Sequence, residues 1–107
     1  MTARIIVNAP SRAKRGEVIA LNALIGHVME SGFRHTTTGV PIPRDIITSF
    51  VAAYNGEEIF RAEFFSAIAA NPFISFHTVA TESGVIEFKW TGDNGFAATK
   101  QVKITVT

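Results

Sequence analysis

Three histidines and a nearby methionine are the side chains best suited to chemistry. The histidines are His27, His35 and His77, and Met29 follows the first of them by two residues. Residues i and i+2 of a strand point to the same side, so His27 and Met29, joined by another histidine, would offer a soft copper site. We expect the strand to end near Gly32, close to Met29, where the alternation that would place His27 and Met29 on one face no longer holds. We therefore favour a structural histidine and a core methionine, and keep copper binding as the alternative.

The remaining residues give little support for catalysis. The sequence contains no cysteine, which excludes thiolate nucleophiles, disulfides and cysteine-ligated metals. The serines lack a Gly-x-Ser-x-Gly setting. Asp45 and Asp93 are typical of turns, and Glu57-Glu58 is typical of a solvated loop. We predict no catalytic, cofactor-binding or metal-binding residue and no enzyme activity.

The charge balance excludes strong attraction to a polyanion. The formal net charge is +1, and the basic run from Arg12 to Gly16 has no interleaved aromatic residues. We predict that this run is a solvated loop between the first two strands, and that neither nucleic acid nor a membrane is a partner. No apolar run approaches the ~20 residues of a membrane span. Residues 1–8 also lack the long apolar stretch of a secretory signal, which taken alone favours the cytoplasm.

Alternation with a period of two runs through most of the chain and predicts strands. Ile86, Phe88 and Trp90 share one face of such a segment, with charged residues between them. Turn signals at Asn55-Gly56 and at residues 92–95 predict two hairpins. No linker or repeat interrupts the pattern, which indicates a single all-β sandwich domain over residues 1–107 with about seven strands. The predicted strands are 4–8, 17–27, 47–54, 59–64, 73–79, 85–91 and 101–106.

The segment from Ser31 to Pro43 has neither helical nor strand periodicity. It contains two prolines and two glycines. A loop of this length in a small domain is often functional, and the alternative is a plain crossover between two sheets. Pro43 to Ile46 is the one place where a short helical turn is expected, because proline is favoured at an early helical position.

Nine phenylalanines exceed what an ordinary core of this size needs. Phe64 and Phe65 are adjacent in a predicted strand, so their side chains point to opposite faces and at most one enters the core. Phe73 and Phe76 also lie on opposite faces of their strand. Apolar residues on both faces are expected where a partner covers the second face of a sheet. Burial between a sheet and a loop is the alternative.

Several of these segments resemble the SoxZ family of the bacterial sulfur-oxidising (Sox) system. The similarity is carried by residues 24–34, by 39–47 with its Ile-Pro-Arg, by 71–76 and by 88–95, and it runs through nearly the whole chain. Ser31 and Ala69 depart from the family pattern, which has Thr and Ser at these positions.

The resemblance implies an immunoglobulin-like β-sandwich that forms a heterodimer with SoxY. SoxY carries sulfur intermediates on a cysteine in a flexible arm ending in Gly-Gly-Cys-Gly-Gly, and other Sox enzymes visit that arm. The family therefore implies a non-catalytic scaffold subunit that contacts those enzymes transiently through its partner. It also implies the periplasm, reached by co-export with a signal-bearing SoxY.

We expect the partner surface to combine the loop from Val40 to Arg44 with the two-sided aromatic regions at Phe64-Phe65 and Phe73. A homo-oligomer is an alternative state when SoxY is absent, because the same apolar surface would then be uncovered. The competing functions are a periplasmic copper-binding sandwich and a free-standing recognition module. The predicted interface residues are Val40, Ile42, Pro43, Arg44, Phe64, Phe65 and Phe73.

Overall fold

The structure, a computed structural model that describes residues 4–107, is an all-β immunoglobulin-like sandwich. All seven predicted segments form strands, and an eighth, two-residue strand is added near the N-terminus. The strands are β1 (Ile5–Asn8), β2 (Arg12–Ala13), β3 (Val18–Ile25), β4 (Ile47–Tyr54), β5 (Glu57–Glu63), β6 (Phe73–Val79), β7 (Gly84–Gly92) and β8 (Ala97–Val106).

Two sheets pack face to face. One sheet has three strands in the order β1-β3-β6, and the other has five in the order β2-β8-β7-β4-β5. All of the pairing is antiparallel except that of β2 with β8, which is parallel. The predicted loop at Arg12 and Ala13 is thus wrong in part, because these two residues pair with Thr105 and Val106.

The core lies between the sheets and centres on one phenylalanine ring. Phe50 is fully buried on β4, and its ring centroid lies 5.1 Å from that of Trp90 and 6.1 Å from those of Phe76 and Phe88. The alternation predicted for β7 holds, because Ile86, Phe88 and Trp90 are all buried. Six of the nine phenylalanines lie in the core or pack partly buried against it: Phe50, Phe60, Phe64, Phe76, Phe88 and Phe96.

The connections gather at the two ends of the sandwich. One end holds the β3–β4 and β5–β6 connections together with the 3-10 turn Asp93–Gly95, which joins β7 to β8. The other end holds the β1–β3 connection, the Asn55-Gly56 turn and the β6–β7 connection. The helical turn predicted at Pro43 is wrong. Asp45 instead forms a β-bridge with Glu30, which keeps this backbone extended.

Candidate partner-binding surface

Exposed apolar side chains gather at the end of the sandwich where β3, β5 and β7 finish, which we call the apolar pole. Of the nine large apolar side chains exposed among the described residues, seven lie there and only Val18 and Val79 lie toward the other end. The three phenylalanines outside the core are all at this pole: Phe33 is 77% exposed, Phe65 66% and Phe73 60%. The other four members of the pole are Ile6, Val28, Val40 and Ile68.

The strand register explains why Phe73 is exposed. It begins β6 and pairs with Leu24 of β3, which pairs in turn with Ile6 of β1. Because alternate residues point to opposite faces, these three side chains form one row across the outer face of the three-stranded sheet. The intervening residues Ala23 and Ile25 point inward and are buried.

The outer face of the three-stranded sheet carries no charged side chain in its described strands. Its strands come from residues 5–11, 18–29 and 64–81, and these segments contain no Asp, Glu, Lys or Arg. The outer face of the five-stranded sheet is different, because register places Arg61, Val51 and Lys89 in one row. Depletion of charge is the compositional mark of an interface core, whereas mixed charge marks a solvated face.

The segment between β3 and β4 is an ordered hairpin, which we call the arm (residues 30–45). Glu30 and Asp45 exchange two backbone hydrogen bonds of 2.8 Å at its base, and the amide of Ile42 donates to the carbonyl of Arg34 at 2.9 Å. The tip is a turn in which the amide of Thr36 donates to the carbonyl of Val40 at 2.8 Å. The arm carries Phe33 and Val40 of the apolar pole. The molecule is elongated, 60 Å long but only 23 Å wide.

Two ion pairs hold the base of the arm. The Arg44 guanidinium donates two hydrogen bonds of 2.9 Å to the Asp93 carboxylate, which also accepts from the amide of Ile46 at 3.1 Å. The hydrogen bonds from Arg44 lower the pKa of Asp93, with the amide of Ile46 adding to the effect. In the same way, hydrogen bonds from Arg34 lower the pKa of Glu30. The side chains that fix the arm are therefore ionised at neutral pH.

His27 and Met29 make hydrogen bonds and packing contacts within the fold. The Nδ1 atom of His27 accepts a 3.0 Å hydrogen bond from the amide of Met29, and its ring packs edge-on against Phe96 at 4.9 Å. The Met29 sulfur accepts a hydrogen bond from the amide of Ile47 at 3.2 Å. The Nδ1 atom of His27 and the sulfur of Met29 are thus used inside the fold, whereas the Nε2 atom of His27 lies 3.9 Å from a carboxylate oxygen of Asp45. Strand β3 ends at Ile25, before both residues, so strand alternation does not place them on one face. His77 lies on the outer face of β6, opposite Ala20.

The predicted interface residues all lie at the apolar pole, but two are not free to meet a partner as expected. Phe64 is only 8% exposed and belongs to the core, because it continues the alternation by which Phe60 and Ala62 of β5 face inward. Arg44 is exposed, but its guanidinium is bound to Asp93. Phe65 and Phe73 are exposed at the surface. On the arm, Val40 and Pro43 are also exposed and Ile42 is half-buried.

Sequence reasoning missed Phe33, Val28, Ile68 and Ile6. Phe33 lay within the segment already singled out as a functional loop, so its aromatic side chain was an available signal. The others became visible only through the register and the chain connections that bring them to one end.

Comparison with known proteins points to one family. The family model for the sulphur oxidation protein SoxZ matches residues 7–103. A search of curated proteins found no matching relative. Within residues 4–107 no helix is long and apolar enough to cross a membrane, and no three His, Asp or Glu side chains form a metal-binding group.

Solved structures with a similar fold include superoxide reductases and a sulfur carrier protein. The superoxide reductase (neelaredoxin) of Ignicoccus hospitalis has a TM-score of 0.71 at 16% identity, with 100% of this chain and 81% of that chain covered. The sulfur carrier protein SoxY of Chlorobium limicola has a TM-score of 0.67 at 11% identity, with 96% and 78% covered. A putative superoxide reductase of Thermotoga maritima has a TM-score of 0.65 at 18% identity, with 96% and 85% covered. At these identities the likeness establishes the sandwich fold alone.

Proposed function

Because this chain belongs to the SoxZ family of sulphur oxidation proteins, we propose that it is the non-catalytic scaffold subunit of a sulfur-carrier heterodimer. Its partner is a SoxY-like chain, whose cysteine arm carries the intermediates of thiosulfate oxidation. The present chain contains no cysteine, so it has no thiol on which to carry sulfur itself. Other Sox enzymes reach the pair through the partner's arm.

The observation that supports this proposal most strongly is the apolar pole beside a charge-free sheet face. Exposed phenylalanines on three separate segments, the arm, the β5–β6 connection and β6, come to the same end of the molecule. Burying such a surface removes apolar area from water without desolvating an unpaired charge. At the base of the arm, Arg34 is paired with Glu30 and Arg44 with Asp93, so these charges already have partners and can remain at the polar rim of the interface.

The area of this surface fits a stable heterodimer. A standard interface buries about 800 Å² on each partner. Three phenylalanine side chains of roughly 200 Å² each, exposed by 60–77%, supply about half of that area. The remaining members of the apolar pole and only the adjoining part of the outer face of the three-stranded sheet, around Leu24, supply the rest. Binding also stabilises both folded partners by mass action, so each is expected to be more stable in the complex than alone.

We further propose that the pair works in the periplasm, because the resemblance to SoxZ implies export together with a signal-bearing partner. Fractionation of cells that express both genes tests this proposal. The chain is expected in the periplasmic fraction only when the signal-bearing partner is co-expressed, and recovery in the cytoplasm under both conditions would contradict it.

The experiment that tests the scaffold function is co-expression with a SoxY-like chain. We expect the tagged chain to elute from size exclusion with its partner as one species, with a mass by light scattering equal to one copy of each. Phe65→Ser and Val18→Ser make a matched pair of variants, because both replaced side chains are exposed by about two-thirds but lie toward opposite ends. Only Phe65→Ser should weaken the complex. Separate elution of the unaltered chains at micromolar concentration would refute the proposal.

A further inference from the structure

Strand β6 is an edge strand of the three-stranded sheet, and its outer side has no paired neighbour in the described chain. It pairs only with β3 in the described chain, with one continuous register from Val18↔Val79 to Leu24↔Phe73. The amide of Ile25 donates to the carbonyl of Pro72, and the amide of Ala80 donates to the carbonyl of Glu17. Antiparallel bonding alternates along a strand, so the even-numbered residues of β6 bond to β3. The N–H and C=O groups of residues 73, 75, 77 and 79 therefore point to the open edge.

The other edges of the described sheets carry protection that β6 lacks. Strand β1 has only four residues and β2 only two. Strand β5 carries four charged side chains, and its register with β4 shifts at Ala52/Ala53. Strand β6 has seven residues, with no charged residue, no proline and no register shift. Proteins protect free edges with short length, charge, proline or bulges, so a long bare edge is suited to accept another strand.

A cleft opens between the sheets beside the same edge. It has a volume of about 340 Å³ and is lined by Tyr54, Glu57, Ile59, Thr78, Val79 and Thr81. In a strand added next to β6, residues opposite the even positions would point inward, as Thr78 does. A side chain opposite Thr78 would therefore enter the cleft, whose volume accommodates a branched aliphatic group.

We propose that an extended, uncharged segment of the partner subunit pairs along the free edge of β6 and places an aliphatic side chain in this cleft. The neutrality of β6 favours an uncharged segment, since a charged side chain beside the strand itself would lose hydration without gaining a counter-ion. Glu57 is the one charged residue that lines the cleft, and the other lining residues suit the aliphatic group. Phe73 belongs both to β6 and to the apolar pole, so the added strand continues the surface on which the partner is proposed to sit. The inference relies on the proposed function only for the identity of the chain that supplies the segment.

Proline at residue 75 tests the pairing. The amide of Ser75 faces the open edge, so Ser75→Pro removes a donor that the fold does not use, as proline on an edge strand allows. Ser75→Ala is the matched control, because it loses the same hydroxyl and keeps the amide. We expect Ser75→Pro to raise the Kd for the SoxY-like partner roughly tenfold or more relative to Ser75→Ala. Equal affinities for two folded variants, checked by circular dichroism, would overturn the inference.

Amide exchange in the unaltered chain gives a second test that needs no variant. The amides of residues 73, 75, 77 and 79 are expected to exchange quickly in the free chain and at least about tenfold more slowly in the complex. Protection that grows with concentration in the absence of partner would identify a second copy of this chain as the occupant, and would overturn the inference. If the partner binds while these amides stay unprotected, the pairing fails but the scaffold function stands. If no complex forms, both fail.

Discussion

Replacing Phe73 by alanine should weaken partner binding while leaving the stability of the fold nearly unchanged. Its side chain is 60% exposed in the isolated chain, so of the roughly 200 Å² of a phenylalanine about 120 Å² is open for a partner to bury. At about 25 cal/mol per Å² this area is worth about 3 kcal/mol of binding free energy. Since about 1.4 kcal/mol corresponds to a tenfold change, Phe73→Ala should raise the Kd of the complex about 100-fold.

The assay is calorimetric titration of a SoxY-like chain with each variant. Val18→Ala is the control, because Val18 is 64% exposed on the outer face of the same sheet but lies toward its other end. The control should bind with unchanged affinity. Both variants should keep the free energy of unfolding within about 1 kcal/mol of the parent, since neither side chain is in the core. A Kd for Phe73→Ala within about threefold of that of Val18→Ala would refute the reasoning, because that difference is worth under 1 kcal/mol.

Three further predictions concern the fold and the arm. Phe50→Ala should lower the free energy of unfolding by about 3–5 kcal/mol in urea, because Phe50 is fully buried, whereas Phe65→Ala should change it by less than about 0.5 kcal/mol; similar losses would contradict the core assignment. Gly32→Ala should raise amide exchange across the arm, because Gly32 has φ +87° and a Cβ there would lie 2.9 Å from the Cβ of Arg44; unchanged exchange would count against this packing. The pKa of Asp93 is lowered in the folded chain, so its ion pair with Arg44 stabilises the fold above about pH 4 and this stabilisation is lost as pH falls through the folded pKa. The protection of the arm's backbone amides against exchange should therefore fall in that pH range in the parent chain. It should not fall there in Asp93→Asn, which has no carboxylate to titrate.

The strands that bury one face were predictable from the sequence. Burial forces alternate residues to be apolar, and the pattern at Ile86, Phe88 and Trp90 is the direct result. The same reasoning gave β4 and β6 with the bounds that the structure has. The turns at Asn55 and Asn94 were readable because both residues adopt positive φ, which asparagine tolerates well.

The arm could not be predicted, for a physical reason. Most of its side chains are exposed on both faces, so no apolar alternation accompanies its backbone pairing. Strand β2 escaped prediction for a related reason, since two residues that pair with the far end of the chain leave no local signal. The helical turn expected at Pro43 followed a real local preference, which the bridge between Glu30 and Asp45 overrides.

The candidate surface was predictable only in outline. Adjacent Phe64 and Phe65 showed that one aromatic must leave the core, and the alternation of Phe64 with Phe60 and Ala62 indicates that Phe65 is the exposed one, as the structure has it. The long charge-free stretch of residues 64–81 is visible in the sequence. Its pairing with the charge-free stretch of β3 is not, because it depends on the register between distant segments.

Cysteine labelling tests most directly whether the apolar pole is where the partner binds. The chain has no cysteine, so Phe65→Cys at the pole and Lys89→Cys on the outer face of the five-stranded sheet each introduce a unique thiol. Maleimide labelling is measured alone and with a saturating concentration of a SoxY-like partner whose own cysteine is replaced by serine, so that the affinity lost with the Phe65 ring does not leave the variant unbound. Binding through the apolar pole predicts labelling at residue 65 that slows at least about tenfold in the complex, with an unchanged rate at residue 89. Protection of residue 89 with residue 65 still reactive would contradict it.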